Sequence, residues 1–189
     1  MKVFLATKNS HKIKEVESIF TSISEDFKLH YDESFLDVEE TEETLEGNAL
    51  LKAKKGYEHA GMPTVADDTG LFVEALDGKP GVKSKRYYSE DATDEENIHY
   101  LLSSLEGSTN RYAHFKTVVC FFDGKDSIFK EGVLKGEISV TPSGENGFGY
   151  DSIFLYNQRT LAEMNVDEKN AISHRKVAFT KIAKTIKLW

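Results

Sequence analysis

Two adjacent carboxylates, Asp67 and Asp68, follow the short run Pro63-Thr-Val-Ala66 and lead into Thr69 and Gly70. Charge placed where an apolar strand gives way to a loop costs stability unless a cation, a ligand or a chemical task compensates. Asp, Thr and Gly are equally ordinary turn residues, so the stretch alone reads as a solvated turn or as a reactive site with even weight. A second cluster, Thr7, Lys8, Asn9, Ser10, His11 and Lys12, joins an expected strand to an expected helix. Free backbone N–H groups and the helix dipole suit phosphate at such a junction. Lys8 and Lys12 would add charge, and Thr7, Asn9 and Ser10 hydrogen bonds. The glycines of a G-x-x-x-x-G-K-[ST] phosphate loop are absent, and ordinary N-capping accounts for the segment taken alone.

Further acids, rings and cations accompany them. Residues 32–46 hold Asp32, Glu33, Asp37, Glu39, Glu40, Glu42, Glu43 and Glu46 with no Lys or Arg. Mg²⁺ takes oxygen ligands, commonly one or two carboxylates plus substrate phosphates, and Glu40 with Asp68 would meet that need. Spacing does not choose Glu40 over Glu39, Glu42 or Glu43, and most of these acids read as solvated surface. In Gly144-Glu-Asn-Gly-Phe-Gly-Tyr-Asp151 the glycines, Gly149 among them, allow close backbone approach to a ligand. Phe148 and Tyr150 offer rings for stacking on a base, and Asp151 an acceptor for ring N–H groups. The bland alternative is a flexible loop whose rings return to the core. Lys169-Asn-Ala-Ile-Ser-His-Arg175 places His174 and Arg175 in the first turn of a helix that Ser173 can cap. Cations there oppose the helix dipole, a small cost on an exposed surface that a ligand carbonyl or anion would offset.

Positioning these groups requires interleaved strands and helices. The pattern predicts a strand at 2–6 and a helix over roughly 11–21 with Ile13, Val16 and Phe20 on one face. A second helix over about 46–60 turns Ala49, Leu50, Ala53, Tyr57 and Ala60 inward and stops at Gly61 and Pro63. Val65-Ala66 and Leu71–Val73 read as short strands on either side of the Asp pair. Thr93-Asp-Glu-Glu96 is a capping box opening a helix with Ile98, Leu101, Leu102 and Leu105 on one face. Residues 111–122 and 127–140 read as a hairpin around Asp123-Gly124. Ser152–Tyr156 reads as a short strand, and the tail from about 173 as a helix burying Ala178, Ile182 and Ile186. The sum is an α/β chain with a mixed sheet and helices packed on it.

At 189 residues and 39% hydrophobic content the chain suits one domain over 1–189, or two small lobes sharing a core, without disulfides. Cys120 lies within an apolar run and is expected in the core. No Cys/His spacing suits structural zinc. A net charge of -8 argues against a general nucleic-acid binder. No apolar segment approaches membrane-spanning length, and the first residues break off too soon for a signal peptide, so a cytoplasmic protein is expected.

Six segments together closely resemble the inosine/xanthosine triphosphate pyrophosphatase family, whose members hydrolyse triphosphates of deaminated purines. They are Thr7–Lys12, Asn48-Ala-Leu-Leu-Lys-Ala53, Ala66-Asp-Asp-Thr-Gly-Leu71, Pro80-Gly-Val with Ser84-Lys-Arg-Tyr87, Gly147–Asp151, and Glu168-Lys-Asn-Ala-Ile-Ser-His-Arg175. They occur in the family's order and span nearly the whole chain. The resemblance implies an elongated, two-lobed α/β fold around a long mixed sheet flanked by helices, with the active site in the cleft between lobes. It also implies a homodimer and a Mg²⁺ requirement. Asp68 matches the catalytic carboxylate, which also holds metal, and Glu40 the second metal ligand. Thr7–Lys12 and Lys52 match triphosphate contacts, and Thr69 a substrate contact. Phe148, Gly149, Tyr150 and Asp151 match the base-binding segment, and Lys169, His174 and Arg175 the groups that read the purine. The implied reaction is attack of water on the α-phosphate of ITP, dITP or XTP, giving the monophosphate and pyrophosphate. Two departures stand out: Gly47 replaces a frequent Glu, and Lys85 a frequent Ala.

Overall fold

Val3, Phe4 and Leu5 are buried together because the first strand, β1 (Lys2–Leu5), is flanked on both sides by strands. In this computed structural model the described residues are 1–36 and 38–188, with the backbone alone for His11. The chain divides into two units, one comprising Met1–Asp68, Thr117–Gly132 and the segment from His174, the other Thr69–Lys116 and Val133–Ser173.

In the first unit β1 pairs in parallel with β2 (Lys28–His30) and with β3 (Thr64–Val73), Phe4 lying opposite Thr64. Helix α1 (Ser10–Ile23) is capped by Asn9, whose Oδ1 accepts the Lys12 N–H at 3.1 Å. It buries Val16, Ile19 and Phe20. The last helix, α5 (His174–Ile186), buries Ala178, Phe179, Ile182 and Ile186 in the same core, and the Phe20 and Phe179 rings meet edge-on at 6.4 Å. Burying a ring such as Phe179 contributes about 1.5–3 kcal/mol.

Helix α2 (Leu45–Ala60) starts where Thr44 Oγ1 accepts the Gly47 N–H at 3.0 Å and ends at Gly61, whose φ of +63° suits glycine. Its buried face is Leu45, Asn48, Ala49, Ala53 and Gly56, while Leu50, Tyr57 and Ala60 are only half-buried. Ala49 and Ala53 thus lie inward as expected, and the face is completed by Leu45, Asn48 and Gly56 rather than by Leu50, Tyr57 and Ala60. Close approach to the sheet decides the matter: a Cβ on Gly56 would lie 2.7 Å from Thr64 Cγ2 and 2.9 Å from Ala6 Cβ.

The second unit carries β4 (Pro80–Gly81) antiparallel to β3, and the helix α3 (Asp94–Ser104), opened by the expected capping box of Thr93 and Glu96. Strands β5 (Tyr112–Phe122) and β6 (Ser127–Ile138) run through both units. Antiparallel β7 (Phe154–Tyr156) and β8 (Arg159–Thr160) follow β6, and a short helix α4 (Val166–Ile172) closes the unit. Its core holds Leu71, Val73, Leu101, Leu105, Phe115, Ile138, Ile153 and Phe154. The sheet is thus mixed and flanked by helices, as the alternation of elements predicted.

Val65-Ala66 and Leu71–Val73 are not separate strands: β3 is one strand of 10 residues that passes straight through the Asp pair. It continues because Gly70 admits the neighbouring chain, a Cβ there lying 2.5 Å from Gly81 O, and because Ser84 Oγ accepts the Leu71 N–H at 2.8 Å. The short helix α4, capped by Asn165, was not foreseen ahead of α5.

Candidate functional site

Because β3 runs unbroken, its pleat sends the side chains of Asp67 and Asp68 to opposite faces. Both are buried, so each needs its charge answered. Asp67 receives Lys12 Nζ on both oxygens, at 3.0 and 2.9 Å, and Arg175 Nε lies 3.7 Å from its Oδ2. Burial works against the Asp67 charge, but Lys12 and then Arg175 outweigh it and hold the carboxyl well below the usual range. Arg175 also donates from Nη1 to Glu15 Oε2 at 3.3 Å. Its buried Nε makes no hydrogen bond among the described residues, a donor that a substrate oxygen could satisfy.

Asp68 has different company. Lys52 Nζ donates to its Oδ1 at 3.0 Å and to Glu40 Oε1 at 2.7 Å, so one ammonium bridges two carboxylates. Asn48 Nδ2 donates to Asp68 Oδ2 at 3.2 Å, while Asn48 Oδ1 accepts the Glu42 N–H at 3.0 Å. Burial pushes the Asp68 carboxyl up to about 6, with the Lys52 charge opposing and the Glu40 charge adding. Such a group can take a proton near neutral pH.

Asn48 is a site residue that sequence reasoning passed over. The signal was there: Asn48 and Lys52 are four apart on α2 and so share a face. The structure also singles out Glu40 among the acids left open, since its carboxylate reaches the lysine that holds Asp68. The departure at Gly47 has a steric reason, because a Cβ there would lie 2.7 Å from Glu42 Cβ and 3.1 Å from Thr44 Oγ1.

At the β1–α1 junction Thr7 is half-buried and its Oγ1 accepts the Asn9 N–H at 3.2 Å. Lys8, Asn9 and Ser10 are exposed, and the His11 side chain lies outside the described residues. The structure brings Lys12, Lys52, Glu40, Asp68 and Arg175 into the charged groups around the Asp pair. His174 is half-buried at the first position of α5.

In the second unit, Thr69 is half-buried on β3 directly after the Asp pair. Phe148 is 52% exposed, whereas Tyr150 is buried and its hydroxyl donates to Ser84 O at 2.8 Å. Only the first of the two rings is thus open for stacking, and the second belongs to the core. The buried Asp151 carboxylate accepts the Phe148 N–H at 2.9 Å and forms an ion pair with Lys169. The Lys169 ammonium lies 5.3 Å from the centre of the Phe148 ring. Asp151, Lys169 and Phe148 therefore form one mutually supporting group around the glycines.

The donor chemistry suits a hard divalent cation. Among the described residues no three His, Cys, Asp or Glu side chains group as a complete metal cage. Mg²⁺ needs none, since one or two protein carboxylates commonly suffice when phosphates supply further oxygens. Glu40 and Asp68 already converge on a cation, the Lys52 ammonium, so two carboxylates share one positive charge.

The sequence profile of the Ham1 family matches residues 3–185. A dITP/XTP pyrophosphatase of Elusimicrobium minutum is 46% identical, the alignment covering 99% of this chain and 100% of that one. The structure of a HAM1 protein from Coxiella burnetii superposes with a TM-score of 0.92 at 37% identity and full coverage, 100%, of both chains. That of the Staphylococcus aureus Ham1 protein gives 0.89 at 35% identity, covering 99% and 98%.

Proposed function

The chain belongs to the Ham1 family, and we propose that it hydrolyses triphosphates of deaminated purines, dITP, XTP and ITP, to the monophosphate and pyrophosphate. The observation that carries this reading is the buried Asp68, held by Lys52 and Asn48 opposite Glu40 and raised to about 6. In the proposed reaction a water oxygen bonds to the α-phosphorus while the bond to the bridging oxygen breaks and pyrophosphate departs. Asp68 accepts the proton that the water loses. Mg²⁺, held by Asp68 and Glu40, would neutralise charge developing on the phosphates. Lys12 and Lys52, with the Thr7–Ser10 segment and His11, bind the triphosphate.

Base choice follows donor logic. A 6-oxo purine presents an acceptor where adenine presents a donor, and Arg175 can only donate. Its buried Nε without an acceptor supports that role, together with Lys169 and His174. Phe148 supplies the exposed ring for stacking, Gly149, Tyr150 and Asp151 shape the loop, and Thr69 makes a further substrate contact. We also infer that the protein acts as a homodimer on the free nucleotide pool of the cytoplasm, without nucleic acid or membrane as partner. Among the described residues no helix is long and apolar enough to cross a membrane.

A panel of nucleoside triphosphates with Mg²⁺ and identification of both products tests the reading. Rapid release of pyrophosphate from dITP, XTP and ITP, and slow turnover of ATP and dTTP, is expected. Equal turnover of ATP, or release of single phosphates, would sink it.

A further inference from the structure

Two glycines give the loop carrying Phe148 a backbone that other residues adopt poorly: φ is +84° at Gly147 and +58° at Gly149. A Cβ at Gly147 would also lie 2.2 Å from Asp151 Oδ2. On its inner side the loop is held by Asp151, which accepts the Phe148 N–H and pairs with Lys169. On its other side it borders an open cavity of about 380 Å³, lined by Ile98 and His99 of α3, by Pro142 and by Phe148 itself. Apolar packing therefore leaves that side of the exposed Phe148 ring unsupported. One bond does reach the loop there: Asp94 Oδ2 accepts the Gly149 N–H at 2.6 Å. A carboxylate acceptor makes this one of the stronger hydrogen bonds available to a backbone amide.

Asp94 is free to serve the loop because the start of α3 is secured by others. Thr93 Oγ1 accepts the Glu96 N–H at 3.2 Å, and Glu96 Oε2 accepts the Thr93 N–H at 2.8 Å. The cap would survive loss of the Asp94 carboxylate.

We propose that Asp94 is a positioning residue for purine recognition, its carboxylate tying Gly149 to the start of α3 and so presenting the Phe148 ring to the base. This rests on the base-binding role given to the loop above. A tie of this kind acts on substrates through their base and leaves contacts to the phosphates untouched. It prepays the ordering of the loop that binding would otherwise require.

The test compares Asp94→Ala and Asp94→Ser with the intact protein, using dITP with Mg²⁺ and inorganic tripolyphosphate as a base-free competitor. KM for dITP should rise about 10- to 100-fold with kcat within about twofold, the loss expected for one charge-assisted hydrogen bond. The inhibition constant of tripolyphosphate should stay unchanged. Asp94→Asn, which keeps an acceptor oxygen, should restore most of the KM. Amide exchange at Gly149, followed by NMR, should speed up in the Ala variant independently of any activity. An unchanged KM in both variants, an equal rise in KM and in the tripolyphosphate constant, or unaltered exchange at Gly149 would overturn the proposal. Failure of the unmodified protein to hydrolyse dITP would be a separate result, removing the functional reading along with this role.

Discussion

Asp68 keeps its proton to about pH 6 because burial disfavours its charge, with Lys52 opposing and Glu40 adding to the effect. Folded protein therefore binds that proton more tightly than the unfolded chain, whose ordinary value is 3.8. The stability this contributes is complete below about pH 4 and lost as the pH rises through 6, in all on the order of 3 kcal/mol. Asp68→Asn should remove this slope from urea denaturation of the metal-free protein, making it more stable at pH 7. The same variant should lose roughly 10²-fold or more in pyrophosphate release, having lost its proton acceptor. Asp67 answers the opposite demand. It is the anion between Lys12 and Arg175, and its lowered pKa favours the folded state at neutral pH. Asp67→Ala would leave those cations uncompensated, and a loss of about 3–5 kcal/mol is expected in thermal or urea denaturation. A stable Asp67→Ala protein would refute that structural role. Cys120 shows the blander outcome foreseen for it, a buried thiol that burial pushes up to about 12.

At the scale of elements, β3 and α5 do most to place the site. β3 was legible as apolar flanks but not as one strand, because a charged pair inside a strand looks like a break until its counter-ions are known. The start of α5 depends on a glycine that sequence reading did not single out. A Cβ on Gly132 of β6 would lie 2.0 Å from His174 O and 2.9 Å from Ala178 N, backbone atoms that cannot swing aside. Gly132→Ala should therefore cost about 1–3 kcal/mol by overpacking. It should also shift the first turn of α5 and so raise KM for dITP, because that turn carries His174 and Arg175. An unchanged melting temperature would show that α5 can move away freely. The capping box at Thr93 and the Gly61 stop were readable in advance, because their chemistry is local.

At the scale of the molecule, two separate clusters of apolar side chains hold the two units, one around Phe20, Phe121 and Phe179, the other around Leu101, Phe115 and Phe154. Neither cluster includes the proposed metal ligands. Chelation with EDTA should therefore abolish pyrophosphate release while leaving the far-UV circular dichroism spectrum intact, and added Mg²⁺ should restore activity. Unfolding on chelation would assign the metal a structural task instead.

The sequence by itself determined which chemistry was on offer: the Asp pair, the Lys-rich junction, the aromatic glycine loop and the Ser-His-Arg helix start. It also determined the helices whose caps and apolar periods are local. Tertiary structure decided the division of labour. Asp67 and Asp68 are neighbours in sequence but lie on opposite faces of β3: Asp67 meets Lys12, 55 residues away, and Arg175, which hold its carboxyl low, whereas Asp68 meets Lys52, 16 residues away, and burial raises its carboxyl against that lysine's charge. Glu40 was selected from its neighbours by reaching Lys52, and Tyr150 was removed from the candidate stacking rings by burial. Such choices rest on distance, desolvation and shared counter-ions, which depend on the folded path of the chain rather than on residue order.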